Sequence, residues 1–384
     1  MKTTTTLIIA FFFSLLSFGQ LTQETYVQDG ILRNYILYRP ADLPPGAPLV
    51  LVLHGYTGTA LGSLTTYGMN DVADANEFAV CYPQGTTDAS GTNFWNIDFP
   101  GEDVNDVGFL SNLAIDLGIT YDFDASCTYV CGMSNGGMMS YYLGCERPDV
   151  FSSFASVTGT ITSNFLQSCL PNITVPFMQI HGTADIVVPY NGGNSAGETF
   201  GEFLPVELIM RTWAQANNCQ NFSTFNVPNG PAFDFSTVRV GQLTNCDGGL
   251  QARFYKIQGG GHTWPGSPPV PFFDFLQPTN QDIDASQEIW NFFSSVCSPS
   301  GFGLPANVVS APEFTLYPNP AQGEININLS GVETAQVRIY SIDGRLVESS
   351  QIREGQNRMS LGHLSRGIYI ARIDGMEPLK FILE

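Results

Sequence analysis

The stretch Thr128–Leu143, Thr-Tyr-Val-Cys-Gly-Met-Ser-Asn-Gly-Gly-Met-Met-Ser-Tyr-Tyr-Leu, constrains this chain more than any other. It opens as a β-rich run, passes through Gly132-x-Ser134-x-Gly136, and continues in a helical pattern. A serine on a tight strand-to-helix turn lifts its hydroxyl above the sheet edge. Glycines two residues to either side let the backbone close around it without a Cβ clash. The helix that follows points its N-terminal amides at the same spot, where negative charge develops during acyl transfer. The pentapeptide alone is equally compatible with a Gly-rich turn carrying a solvated serine. The strand before it, the helix after it and the order of partner residues downstream give it weight.

The surrounding chain reads as an α/β fold. Residues 23–38 form a hairpin pattern turning at Asp29-Gly30. Leu49-Val-Leu-Val-Leu53 is an unbroken apolar run of the kind buried on both faces of a parallel sheet. Further apolar runs follow at 78–82, 128–131, 151–157, 176–180 and 252–257, with helical patterns at 106–117, 138–145, 206–216 and 283–296. This alternation predicts a mostly parallel central sheet flanked by helices. Ser298–Asn307 is rich in Pro, Gly and Ser and reads as linker. From Glu313 the texture changes to short alternating strands, at 324–329, 335–340 and 367–373, which predict a small all-β sandwich. The expected organisation is a signal peptide over 1–19, a catalytic domain over 20–297, a linker over 298–312 and a C-terminal domain over 313–384.

Met1-Lys2 followed by the apolar run Leu7–Leu16 and small residues at Ser17-Phe-Gly19 has the pattern of a secretory signal. The run is too short for a comfortable transmembrane span, and no other stretch competes with it. Export gives the eight cysteines meaning, since an even count outside the cytosol favours disulfides. Cys127 and Cys131 lie four apart along a strand, too far to bond each other. The sequence does not fix the pairing; the pairs expected are Cys145 with Cys169, Cys219 with Cys246, and Cys127 with Cys297. No CxxC, P-loop, dinucleotide fingerprint or metal-binding histidine pair occurs, so neither cofactor nor metal is expected. The net charge of −20 is concentrated in residues 20–312, where seven Lys/Arg stand against twenty-six Asp/Glu. Such a body repels nucleic acid, polyuronates and anionic membranes, and favours a neutral substrate.

A serine nucleophile needs a base, itself oriented by a carboxylate. His262 lies in the Gly/Pro-rich segment Gly259–Gly266, after a strand, where an imidazole can reach a serine on another strand. Asp185, in His181-Gly-Thr-Ala-Asp185, stands at a strand's carboxyl end, where the orienting acid is expected. Asp234 and Asp247 lack that setting, while Asp274 and Asp284 remain for geometry to exclude. The order Ser134, Asp185, His262 is that of α/β-hydrolases. His54-Gly-Tyr-Thr-Gly58 follows the Leu49–Leu53 strand, so Tyr56 or Thr57 is the expected first oxyanion donor and the N–H of Asn135 the second. His54 and His181 are read as structural. Trp95 and Trp264 are candidate substrate walls, or alternatively core. The acids of Glu102–Asp106 are read as favouring a helix N-terminus.

As a set, His54-Gly-Tyr-Thr-Gly, Tyr82-Pro-Gln-Gly, Asp106-Val-Gly-Phe, Gly132-Met-Ser-Asn-Gly-Gly, His181-Gly-Thr-Ala-Asp and Gly260-Gly-His-Thr-Trp-Pro-Gly stand in the order found in another group of proteins. Over about 34–297 the chain resembles the polyhydroxybutyrate depolymerase and LpqC-like esterases of the α/β-hydrolase superfamily, which include feruloyl and acetylxylan esterases. The resemblance implies Ser134 as nucleophile, Asp185 as acid and His262 as base. Leu316-Tyr-Pro-Asn-Pro, Val337–Arg345 and Leu364-Ser-Arg-Gly-Ile-Tyr-Ile resemble the type A sorting domain of the Bacteroidetes type IX secretion system, which implies export to the cell surface or medium and the secretion machinery as partner. By composition alone the same sandwich could be a carbohydrate-binding module, though it lacks tryptophan.

The expectation is therefore a secreted serine carboxylic-ester hydrolase acting on feruloyl or acetyl esters of plant polysaccharide. The alternatives are a polyhydroxyalkanoate depolymerase, a peptidase on the same triad, and a non-catalytic carbohydrate-binding protein on a hydrolase scaffold.

Overall fold

The computed structural model describes residues 19–99, 101–169, 174–194, 202–230, 234–269, 277–297, 313–341, 345–373 and 379–383. The expected signal peptide (Gly19 apart), the linker and Asp274 lie outside these residues. The chain divides into two compact units between Gly301 and Phe302.

The first unit is built on one ten-stranded sheet. Its strands are β1 (Gln20–Gln28), β2 (Ile31–Arg39), β3 (Leu49–Leu53), β4 (Ala79–Pro83), β7 (Thr128–Met133), β8 (Ser153–Val157), β9 (Phe177–Gly182), β12 (Asn221–Asn226), β13 (Thr237–Thr244) and β14 (Ala252–Gln258). Two-residue ladders β5 (Thr86–Thr87) with β6 (Asn93–Phe94), and β10 (Gly193–Asn194) with β11 (Glu202–Phe203), lie outside it. Across the sheet the order is β1-β2-β4-β3-β7-β8-β9-β14-β13-β12. The six strands from β4 to β14 run parallel. Antiparallel hairpins extend both edges: β1–β2 turns at Asp29-Gly30, as read from the sequence, and β12–β13 was not foreseen.

Every side chain of β3 is buried because the sheet is covered on both faces. Leu49, Leu51 and Leu53 face one layer while Val50 and Val52 face the other, as a two-residue period requires. The first layer holds α3 (Asp106–Tyr121), α4 (Asn135–Glu146), α5 (Ser163–Cys169) and α6 (Val206–Ala216), contributing Phe109, Leu113, Tyr141, Phe165 and Trp213. The second holds α1 (Ala60–Thr66), α2 (Met69–Asn76) and α7 (Ala285–Val296), with Met69, Val72, Ile289 and Phe293. Helix α4 begins at Asn135, three residues before the apolar pattern starts. Its first turn contains Gly136 and Gly137, chosen for close approach rather than helix propensity, and that hides the start of the helix.

Disulfides join Cys127 to Cys297, Cys145 to Cys169 and Cys219 to Cys246, while Cys81 and Cys131 are buried thiols. Each bond ties a helix end to a neighbouring turn or helix.

The second unit is a five-stranded antiparallel sheet curled into a small sandwich: β15 (Glu313–Tyr317), β16 (Glu324–Ser341), β17 (Leu346–Ser360), β18 (Gly367–Ile373) and β19 (Leu379–Leu383). The runs 324–329 and 335–340, expected as separate strands, are one long strand, β16, with a register irregularity between Leu329 and Thr334. Ile325, Ile327, Val337, Ile339, Phe381 and Leu383 fill its core.

Asp106 opens α3, as expected of an acid at a helix N-terminus, but it is not the residue that caps the helix. Asn105 caps α3, its side chain accepting from the N–H of Gly108. Asp106 is instead buried, with Oδ1 2.5 Å from the Arg33 guanidinium on β2 and Oδ2 accepting from the N–H of Asn96 at 2.7 Å. The Arg33 guanidinium also lies over the Phe109 ring. Burial raises the Asp106 carboxyl, and Arg33 opposes it. Asp106→Ala leaves that guanidinium buried without its charge partner, a loss of about 3–5 kcal/mol. Urea unfolding curves of both proteins check this; a loss under about 1 kcal/mol would mean the pair is not the buried constraint described.

Candidate active site

The turn after β7 is strained. Ser134 has φ 54° and ψ −121°, a conformation costing a non-glycine residue about 1–3 kcal/mol. Its N–H donates to the carbonyl of Val157 on β8 at 2.8 Å. A Cβ on Gly136 would come within 2.5 Å of the Leu53 carbonyl oxygen, and one on Gly132 within 2.5 Å of the Gly136 backbone. Only glycine lets α4 descend against the end of β3, which is what holds Ser134 in its strained turn.

Parallel strands place their carboxyl ends on one edge, so the loops after β3, β7, β9 and β14 converge there. Asp185 follows β9 and is almost fully buried. Its Oδ1 accepts from the N–H groups of Val187 and Val188, both at 2.8 Å. Its Oδ2 lies 2.8 Å from Nδ1 of His262, in the loop after β14, and 3.4 Å from Nε2 of His181. The Asp185 and His262 loops meet backbone to backbone, since a Cβ on Gly182 would lie 2.2 Å from the carbonyl oxygen of Gly260. The N–H of His262 donates to Oε1 of Gln277. Burial works to raise the Asp185 carboxyl. Hydrogen bonds from His181 and His262 outweigh it and hold the group well below the usual carboxylate range. An ionised Asp185 requires Nδ1–H on His262, which leaves Nε2 as an acceptor.

Two further histidines are bonded through both ring nitrogens. His181 Nε2 lies 2.9 Å from the carbonyl oxygen of Val188, and Nδ1 lies 3.1 Å from the amide nitrogen of Gln179, whose oxygen accepts from the Tyr141 hydroxyl. A carbonyl only accepts and an amide N–H₂ only donates, so the proton sits on Nε2. His54 is the reverse: Nδ1 donates to the carbonyl of Gly55, and Nε2 accepts from the N–H of Gly85. Burial, with Arg33 adding to it against the Gly55 hydrogen bond, pushes the His54 imidazole down to about 4.

The expected oxyanion donors separate. Thr57, at φ 70°, donates its N–H to the Asn93 carbonyl at 2.9 Å, which engages one of the two donors expected from that loop. Asn135 opens α4, where a backbone N–H has no partner within the helix. Its side chain grips the Trp95 backbone twice, Oδ1 accepting from N–H at 2.7 Å and Nδ2 donating to the carbonyl at 3.0 Å.

Neither tryptophan offers a face to substrate. Trp95 is fully buried against His54, and its indole N–H donates to the His54 carbonyl. Trp264 is buried in a stack with Tyr67, its N–H donating to Ser286. Both indole N–H groups find partners inside the protein, which makes interior placement affordable. Trp95 therefore bridges the nucleophile turn and the His54–Gly58 loop, a role its type and position do not announce in sequence. Among the competing carboxylates, Asp284 caps α7, and Asp234 is bonded to Ser236 and Gln281.

His54 and Asp185 both have folded-state pKa values below their unfolded ones, so their stabilisation is present at neutral pH and lost on acidification. The His54 share disappears between about pH 6.5 and 4, and the Asp185 share below about pH 4. His54→Asn should flatten the fall of Tm between pH 6.5 and 4 in thermal scans. An unchanged slope would place the acid sensitivity elsewhere.

Residues 108–220 match the family described as phospholipase/carboxylesterase, and residues 315–382 match the secretion system C-terminal sorting domain. The "Putative esterase NocK" of Nocardia uniformis subsp. tsuyamanensis is 30% identical over 262 residues, covering 64% of this chain and 74% of that protein. The bifunctional acetylxylan esterase/xylanase XynS20E of Neocallimastix patriciarum is 26% identical over 70% of this chain, and feruloyl esterase B of Piromyces equi 29% identical over 56%. The chain spans only 34% and 39% of the lengths of those two. Among the described residues no helix is long and apolar enough to cross a membrane. With 30% identity over 74% of the NocK protein and a segment that matches the phospholipase/carboxylesterase family, the chain belongs to the esterases of the α/β-hydrolase fold and is a carboxylic-ester hydrolase with a C-terminal secretion sorting domain.

Proposed function

We propose that the chain is an exported serine esterase that removes feruloyl or acetyl groups from plant polysaccharide. Ser134 Oγ attacks the ester carbonyl carbon while His262 Nε2 takes its proton. Asp185, bonded to Nδ1, holds the imidazole in the reactive tautomer and stabilises the imidazolium. The backbone N–H groups of Tyr56 and Asn135 receive the oxyanion. The tetrahedral intermediate collapses, and His262 returns the proton to the departing sugar oxygen. Water, deprotonated by His262, then releases the acid from Ser134.

The observation that carries this reading is the 2.8 Å Asp185–His262 hydrogen bond, at the sheet edge where Ser134 occupies its left-handed turn. A buried carboxylate held ionised by two histidines, on the sheet edge that carries such a serine, supports an acid–base role. The substrate class rests on the acetylxylan and feruloyl esterases among the relatives. The sorting domain supports type IX export, with the N-terminal segment as the signal for the first membrane.

The test is product release by the full chain from methyl ferulate, acetylated xylan and polyhydroxybutyrate. Ferulate or acetate should be released, Ser134→Ala should lower kcat by about 10⁶-fold, and Asp185→Asn by about 10⁴-fold. Release of hydroxybutyrate alone would make the protein a depolymerase. Ester cleavage that survives Ser134→Ala would sink the mechanism.

A further inference from the structure

The sheet runs two strands beyond the helix that covers it. Helix α6 packs over β9 and β14 through Ile209 and Trp213, whereas the face of β13 and β12 continues past it. Between the helix and that face lies an open groove of about 440 Å³. Its walls are largely apolar, with Met210 on α6 opposite Phe222, Leu243 and Phe254. None of its lining residues belongs to the Ser134, Asp185 and His262 assembly or bonds to it.

The charge of the groove opposes that of the protein. Residues 20–312 contain seven Lys/Arg, and three of them, Arg211, Arg239 and Lys256, line this one groove against a single carboxylate, Glu207. Lys256 is paired with Glu207 at 2.8 Å and lies over the Tyr190 ring. Arg239 donates to the hydroxyl of Thr224 across the strands, and Arg211, exposed on α6, acts on Glu207 through space without an ion pair to any carboxylate among the described residues. Two guanidinium groups therefore remain for an incoming anion. In a chain of net charge −20, such a concentration creates a local attractive field where the surrounding surface repels.

The apolar wall selects what carries that anion. Phe222 lies across Gly241, where a Cβ would come within 3.1 Å of the ring, and the phenyl is 68% exposed. Glycine on β13 lets the ring lie flat and present its outer face, a surface suited to the C–H face of a pyranose. Guanidinium groups beside it match a carboxylate in two-pronged geometry. We propose that this groove binds a polysaccharide segment bearing uronic acid, with the carboxylate on Arg211 and Arg239 and a sugar ring on Phe222. The site is separate from the acyl-transfer centre and does not depend on which ester the enzyme cleaves.

The experiment is calorimetric titration of the full chain with xylo-oligosaccharides carrying a glucuronic acid branch and with the same compounds after reduction of the carboxyl group to the alcohol. Poly-L-glutamate and sodium ferulate are run beside them. The acidic oligosaccharide should bind at least about tenfold more tightly than its reduced form. Arg211→Gln combined with Arg239→Gln should abolish that preference, and Phe222→Ala should weaken both sugars. In the wild type, added salt should remove the preference without any substitution. Equal affinity for the acidic and reduced sugars would overturn the proposal, as would a preference that survives the double substitution. Binding of poly-L-glutamate or ferulate as tight as that of the acidic sugar would overturn it too, the first pointing to a peptide partner and the second to a small-acid site.

Discussion

The approach of α4 to the end of β3 is the constraint on which the site depends. A strained serine is held only when its surroundings over-determine it, and here backbone meets backbone with no room for a side chain at Gly132 or Gly136. The hydrogen bond from the Ser134 N–H to Val157 fixes the turn from the other side. Because β3 and β8 flank β7 directly, the turn is gripped by both neighbours of the strand that carries it. The helix start, the exposed edge of the sheet and the direction of the hydroxyl are therefore consequences of one packing event.

A second tier of buried polar contacts fixes the loops around that turn. Asn135 holds Trp95, Trp95 holds His54, and Asn96 next to it is held by Asp106, which is paired with Arg33 on β2. On the other side Tyr141, Gln179 and His181 form a chain of hydrogen bonds ending at the loop that carries Asp185. Buried networks of this kind stabilise little in net terms but are costly to leave half-satisfied, so they specify one arrangement of loops. Histidines in both tiers are bonded through both ring nitrogens, whereas His262 is bonded through Nδ1 to a carboxylate.

The surface follows a different logic. Acidic residues dominate the first unit, three disulfides pin helix ends, and a sorting domain follows. Loop closure by the Cys127–Cys297 bond spans 170 residues and restricts the unfolded chain accordingly. Against that acidic background the cationic groove beside α6 stands out, created where an added antiparallel hairpin outruns its covering helix.

Much of this was legible in the sequence because local chemistry dictated it. Unbroken apolar runs such as Leu49–Leu53 marked strands buried on both faces, Asp29-Gly30 marked a hairpin, and Gly-x-Ser-x-Gly marked a turn that few residue types can make. The order of Ser134, Asp185 and His262 followed from where glycine-rich segments interrupt the strands. The rest depended on partners distant in the chain. Trp95 and Trp264 carry aromatic faces that suit a pocket or a core equally, and only hydrogen bonds to His54 and Ser286 sent them inward. Thr57 had the right position for an oxyanion donor, yet Asn93 takes its N–H. Asp106 is the helix-end acid its position suggested, but its pairing with Arg33, 73 residues earlier, was not visible in the chain. The chain by itself determined which elements form and what chemistry they carry, because period, turn residues and charge act locally. Which groups face each other was decided by tertiary packing, because a hydrogen bond or a buried charge has no energy until its partner is in place.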